Sequence, residues 1–599
     1  MIYHCEDHTC NYWDEGEKLP ERCPQCGRKL LRANEADMTG DDWTALGNTL
    51  WDAEASDKKR MVDCFRKAAY LGSAWGVCNL GICMEQGNGV EADPVQAFWL
   101  YQQAVEMGSL NAVCCLGVCY EYGIGTAPDA KQAAELYRKA AEYGSPRGQM
   151  LLARAFHDGI GVEADAAEAV HWVRAAAYQR YGEGMYRLGV CYEYGDGVEQ
   201  NWEHAVHWFR EAAESGVSAA MTDLGYCYEK GCGVEQSWEQ AFSWYRRGAE
   251  CGDLRSMHNL GYCYEKGRGV EQSWEQAFSW YRRGAECGNP VSMSNLGLCY
   301  QMGYGVEQNW QEAIKWYEQG AQCGDLQSMN NLACCYEDGE GVEQNEERAL
   351  YWYRRGAEAG SDYCMYCLGW NYSNGEGVEQ NMTEAIRWYT AAAEGGNADA
   401  MHDLGWLYDH GEGVEQDMKK AICWYERAAE QNHPAAMNSL GECYAMGRGV
   451  PRDLETAMEW YRRAAELGEA MADYNMGWHL EQAGKLSEAY AHYRKAADGN
   501  DDSAWWALGR FYENGVVVAQ DGKEARRCYE TGEKLGSVKC KMRLARCKLL
   551  GIGGRRAKKA GLDLCRQALE LAKESSEKED YGYEAEMNLL RRTIAENES

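Results

Sequence analysis

The chain has 599 residues, with 61 Lys and Arg against 94 Asp and Glu, a formal net charge of −33. That balance argues against nucleic-acid binding, which needs a basic face to displace counterions from phosphates, and against docking on anionic lipid. Length alone would allow about three to five ordinary domains, but 23 Trp and 40 Tyr beside 7 Phe and 8 Pro point to one motif copied many times. The opening MIYHCEDHTC has neither the basic start nor the apolar stretch of a secretory leader, and no run approaches the ~18 apolar residues of a membrane span. A cytoplasmic protein without membrane insertion is expected, its 28 Cys reduced or metal-bound.

Residues 1–35 carry the first predicted element. Cys23-Pro-Gln-Cys26-Gly27 places two thiols three apart in a tight turn, the spacing of a zinc knuckle. Cys5 and Cys10 supply a second pair, with His8 as the substitute for Cys10 through a Cys-x-x-His spacing. Four such ligands suit one tetrahedral zinc and leave no open position, so the ion is read as structural; iron is the alternative for a site of four thiolates. A stretch of ~35 residues cannot build an adequate core unaided, and zinc contributes an apparent ~10–16 kcal/mol in comparable modules. The segment resembles a zinc ribbon.

From residue 41 one dipeptide serves as a ruler. Leu80-Gly81 recurs every 36 residues as Leu116-Gly117, Leu152-Ala153, Leu188-Gly189 and onward to Met476-Gly477. A weaker copy precedes it at Leu46-Gly47, and two follow at Leu508-Gly509 and Leu544-Ala545. Fifteen units result, over 41–575. Around the ruler, a small residue four before Leu and a Tyr four after share one helical face. A Gly-x-Gly-Val turn follows, whose first Gly can take the left-handed conformation that ends a helix. Asn201, Ser237, Ser273, Asn309, Asn345, Asn381 and Asp417 then stand at N-cap positions of a second helix. That helix carries Ala, then Trp-Tyr, then small residues. One hairpin cannot bury its apolar face alone; stacked copies can, at ~1.5–3 kcal/mol for each large side chain removed from water.

The stretch LGYCYEKGCGVEQSWEQAFSWYRRGAE at 224–250 resembles a Sel1-like repeat, and the likeness extends over about nine-tenths of the chain. Gln200, Gln236, Gln272 and Gln308 depart from the residue common in the family near the turn. The resemblance implies an all-α fold: a right-handed α/α superhelical solenoid of about fifteen hairpins related to tetratricopeptide arrays and used mainly to hold other proteins. Between Met476 and Leu508 the step falls to 32, because HLEQAGKLSEAYAHYRKAA lacks the glycine turn. After GIGGRRAKKA two helices are predicted, at about 557–572 and 583–596, separated by the charged KESSEKED; residues 576–599 would cap the stack.

No catalytic constellation emerges. Cys83, Cys119, Cys191, Cys227, Cys263, Cys299, Cys335, Cys443 and Cys547 fall three residues after the ruler Leu, the pattern of packing. Cys364-Met-Tyr-Cys367 mimics a redox pair, but Cys364 fills the small-residue slot of its repeat. Gly-x-Gly-Val follows helices rather than strands and lacks the Lys-Ser/Thr of a phosphate loop. A non-enzymatic chain is expected.

One strip of the first helices reads as functional. Positions two before, two after and six after the ruler Leu line the other face of the first helix, expected on the concave side. In the later repeats they hold Tyr366, Trp370, His402, Trp406, His410, Tyr474, Trp478 and Trp506, interrupted by Asn438 and Glu442. Exposed Trp and Tyr anchor binding hot spots, and an apolar strip marks an interaction surface; the competing reading packs these rings between repeats. The function expected is a scaffold or adaptor that holds a partner protein or peptide, with basic segments favoured by the acidic surface. The alternative is a module for glycans or cell-wall fragments, since aromatic strips also stack on sugars.

Overall fold

The computed structural model describes the backbone of residues 2–5, 13–15, 30–33, 38–51, 55–578 and 584–598, and the side chains of 38–51, 57–573 and 584–597. It contains three short strands and thirty-one helices among the described residues. Strand β1 (Ile2–Cys5) lies between β2 (Trp13–Glu15) and β3 (Leu30–Ala33), antiparallel to both, with Ile2 opposite Glu15 and Ala33 and Cys5 opposite Leu30. Of the expected zinc ligands, Cys5 ends β1, while Cys10, Cys23, Cys26 and the substitute His8 lie outside the described residues.

The helices divide into two compact units, Met1–Asn309 and Trp310–Ser599. Within each, helices pair in sequence order into hairpins of a first helix, A, and a second helix, B. The hairpin at 218–253 accounts for the period. Helix A, Ser218–Lys230, has 13 residues, helix B, Trp238–Glu250, has 13, and residues 231–237 and 251–253 connect them onward to Leu254. At 470–501 the helices keep their 13 residues, Ala470–Gln482 and Leu486–Asp498, so the shorter step comes wholly from the inner connection, 483–485.

The connection explains its composition. Gly231 ends helix A at φ 75°, in the left-handed region that glycine enters without penalty. Gly233 (φ 69°) answers a second demand: a Cβ there would collide with the backbone carbonyl of Trp202, the first residue of the preceding helix B. Connections with this second glycine are thereby laid across the start of the previous repeat's second helix. Gln236 turns back and donates from its side-chain amide to the Glu229 carbonyl at 2.7 Å, one of the carbonyls a helix end leaves free. Gln200, Gln272, Gln344, Gln380, Gln416 and Gln520 repeat this bond, so the departure from the family pattern has a definite task. Ser237 then accepts from the Gln240 N–H at 3.3 Å and opens helix B.

The core of most hairpins is an aromatic ring set on a glycine. A Cβ at Gly261 would stand 2.6 Å from the Tyr281 ring, and one at Gly405 2.7 Å from that of Tyr425. The Tyr of each Trp-Tyr pair is buried, while the Trp beside it is in most pairs half-buried under a basic side chain, as in Arg247 over Trp244 at 4.3 Å and Lys315 over Trp316 at 5.7 Å. The Tyr281 hydroxyl donates to Glu265 Oε2 at 2.7 Å in the last turn of helix A; Tyr101 with Glu85, Tyr245 with Glu229, Tyr353 with Glu337 and Tyr529 with Glu513 do the same.

The C-terminal end corrects one expectation. KESSEKED does not separate two helices at about 572: helix B of the last hairpin runs Lys558–Lys578 and takes in most of it, and the final helix is Glu584–Glu598. Lys and Glu are good helix formers, so charge alone does not break the helix. The final helix seats Met587 and Leu590 against Cys565, Ala568 and Ala572, and Glu586 pairs with Arg543 at 2.7 Å.

Tyr281→Ala is expected to lower the local opening free energy of hairpin 254–286 by about 3–5 kcal/mol, and Tyr281→Phe by about 1–3 kcal/mol because Glu265 loses its donor. Hydrogen exchange read by mass spectrometry should show faster exchange there, with helices Pro94–Glu106 and Ala130–Glu142 unchanged.

Candidate interaction surface

The eight strip residues occupy the A helices Asp362–Asn374, Ala398–His410, Ala470–Gln482 and Asp502–Asn514. Their positions relative to the ruler Leu decide their fates. Two residues after it, Trp370, Trp406 and Trp478 are each 38% exposed. Two residues before it, Tyr366, His402 and Tyr474 are half-buried. The Tyr366 ring packs on Tyr389, and its hydroxyl donates to Asp403 Oδ2 at 3.2 Å in the next repeat. Tyr474 packs on Tyr493, and Trp506 is half-buried under the Arg510 guanidinium at 4.6 Å. Six residues after the ruler Leu, His410 is exposed and stacks on Trp406, ring centroids 4.3 Å apart.

Both readings of the strip therefore apply, residue by residue. The inner positions are joints between repeats. Tyr186 donates to Asp223 at 2.9 Å, and Asn475 to the Asn438 side-chain oxygen at 3.0 Å, each a pair 37 residues apart in the register of Tyr366 and Asp403. His402 stacks on His433 with centroids at 5.2 Å, and the two imidazoles stand against Asp403 (3.0 Å) and Asp399 (3.1 Å). The sequence pattern held His402 but not His433, which stands at the end of the same repeat as the N-cap of the next A helix, Pro434–Met446.

The outer position carries further bare apolar groups in the first unit, Tyr226 (43% exposed) and Leu298 (40%). Their register relative to Leu224 and Leu296 is that of Trp370, a signal present in the sequence.

Trp370 also borders a cavity of about 460 Å³ in the second unit, lined by Glu337, Asp338, Glu346, Glu376, Tyr366 and Leu350 among others. Its charged walls are all carboxylates. Burial, followed by the crowding charges of Asp338, Glu376 and Glu346, raises the Glu337 carboxyl above its ordinary range, against the Tyr353 hydroxyl that bonds it. These acids come from two repeats, which is why no local sequence pattern pointed to them.

The buried cysteines of the repeats behave mostly as packing groups, with Cys115 as an exception, its thiol lowered to about 7 chiefly by a hydrogen bond with Cys78 and by the Arg147 guanidinium. Burial pushes the Cys364 thiol up to about 11 and that of Cys367 to about 12, so neither is a thiolate at neutral pH. Cys227, Cys263 and Cys299 are likewise buried and pushed up to about 12. Among the described residues no group of three or more His, Cys, Asp and Glu is arranged to hold a metal ion, and no helix is long and apolar enough to cross a membrane.

The Sel1 repeat family model matches thirteen segments, 76–109, 112–145, 146–181, 182–217, 218–253, 254–289, 290–325, 326–361, 362–397, 398–433, 434–469, 470–501 and 504–537. Among solved structures, c5321, a protective antigen of uropathogenic Escherichia coli displaying an SLR fold, is 32% identical, covering 75% of this chain and 97% of its own, with a TM-score of 0.52. A Sel1 repeat protein from Oxalobacter formigenes is 27% identical over 51% of this chain and 89% of its own, with a TM-score of 0.41. Among curated protein sequences no match was found.

Alkylation with iodoacetamide at pH 7 should label the exposed Cys251, Cys287, Cys323 and Cys423 first. Cys227, Cys263, Cys299 and Cys364 should remain unlabelled until denaturant is added, as read by peptide mass mapping.

Proposed function

Because the chain belongs to the Sel1 repeat family, whose members generally serve as protein-interaction scaffolds, we propose that it is a non-enzymatic adaptor that holds a partner protein or peptide along the outer positions of its A helices. The observation that carries this reading is the recurrence of one part-exposed indole at the same register in Trp370, Trp406 and Trp478. Indoles that are partly exposed yet held on a rigid helix lose little freedom on binding and offer large contact area. The carboxylates beside Trp370 and the net charge of −33 favour a partner segment with basic residues. The half-buried Tyr366, His402, Tyr474 and Trp506 would act by setting the spacing between the anchors, and His410 by fixing the Trp406 ring. The test is affinity capture from the native cell with the wild type and the Trp370→Ala, Trp406→Ala, Trp478→Ala variant. Recovery of the partner is expected to fall at least tenfold without loss of helical signal; equal recovery overturns the strip as the site.

For the N-terminal segment we propose a structural zinc held by Cys5, Cys10, Cys23 and Cys26, with His8 as substitute for Cys10. The support is the spacing of the two pairs and the antiparallel pairing of β1 with β2 and β3, which fits a small module built around one ion. Metal analysis of the purified chain should return about one zinc. A Cys23→Ser, Cys26→Ser variant that retains it would refute the assignment.

A further inference from the structure

One repeat of the first unit departs from the ring-on-glycine rule at three places at once. Position 173 is 36 residues from Tyr137 and Phe209, both fully buried, yet it holds Val173. Position 153 holds Ala where Gly117 and Gly189 meet those rings. Position 157 holds His where Glu121 accepts the Tyr137 hydroxyl at 2.6 Å. Ala333 stands beside the fully buried Tyr353 elsewhere in the chain, so an alanine at the ruler position does not by itself expel the ring; the replacement of Tyr by Val does. Ala153, His157 and Val173 all line a cavity of about 570 Å³, within the ~300–1,000 Å³ of ordinary ligand sites.

The walls describe the occupant. Met150, Val170 and Val190 are apolar. Most of the charged groups are already paired: Arg154 with Glu121 at 2.5 Å, Arg187 with Glu183 at 2.9 Å, and His157 with both Asp158 (2.6 Å) and Asp196 (3.2 Å). Arg147 instead donates to the Asn111 side-chain oxygen at 2.8 Å and to Cys115 Sγ at 3.6 Å; a neutral ring disturbs none of these contacts. A phenol hydroxyl can donate to the Asp158 or Asp196 carboxylate, which line the same cavity.

We propose that this cavity is a binding site for a phenol ring, the side chain of a tyrosine in a partner segment that enters where the repeat lacks its own. The site is separate from the indole strip and does not depend on it.

The probes are p-cresol, N-acetyl-tyrosinamide and N-acetyl-phenylalaninamide, titrated into the full chain by calorimetry and ligand-observed NMR. Saturable binding of the tyrosine amide is expected, about two- to tenfold tighter than the phenylalanine amide, the worth of one hydroxyl. The control is the Ala153→Gly, Val173→Tyr variant, which restores the ring; it should keep its helical signal, melt no lower than the wild type and lose binding. Val173→Ile narrows the cavity without adding a ring and should weaken binding if the double variant does not fold. No saturable binding of any probe, or undiminished binding in a folded variant with the ring restored, overturns the proposal. Equal affinity for the two amides overturns the role of the hydroxyl, and binding of p-cresol alone overturns the peptide source in favour of a free phenol.

Discussion

An aromatic ring, most often tyrosine, laid on a glycine is the contact on which most of the hairpins depend. Gly261 and Tyr281 stand for most of them: helix A gives up a side chain so that helix B can bring a whole ring against its backbone. The hydroxyl then reaches Glu265 in the last turn of the same helix A. A large apolar surface leaves water while its one polar atom keeps a hydrogen bond, which removes the penalty for burying it. With the ring held at two places, the crossing of the helices has little freedom, and neighbouring copies can meet in one register.

That register organises the surfaces between repeats. The residue two before the ruler Leu faces the residue one before it in the next copy, as in Tyr186 with Asp223 and Tyr366 with Asp403. Two residues after the ruler Leu, aromatic side chains such as Tyr226 and Trp406 make no such bond to the next copy and stay part-exposed, whereas Arg154, Arg510 and Arg546 at the same position pair with a glutamate of the preceding copy. Joint and contact surface thus alternate along one helix face at a separation of four residues, about one turn. Where Val173 replaces the ring, the hairpin still forms, because its caps and apolar contacts through Leu188 and Phe209 persist, but a cavity opens in its place.

Much of the fold was legible because its determinants are local. The spacing of Leu-Gly, the N-caps at Ser237 and Asn345, and the left-handed glycines at 231 and 267 each act within a few residues. The second glycine was read as part of a turn, and its stricter cause, the Trp202 carbonyl, became visible only with the previous repeat in place. The charged KESSEK segment misled because high charge suggests a linker, whereas Lys and Glu also favour a helix.

The sequence by itself determined the repeat: helix lengths, turns and the residues that must be inside, since these follow from periodicity and from backbone conformations that few residues can adopt. Only the tertiary structure decided which aromatic residues of a shared face are joints and which are bare, and which carboxylates gather beside Trp370. The physical reason is that exposure depends on what stands opposite, and here the opposing group lies a full repeat away along the chain.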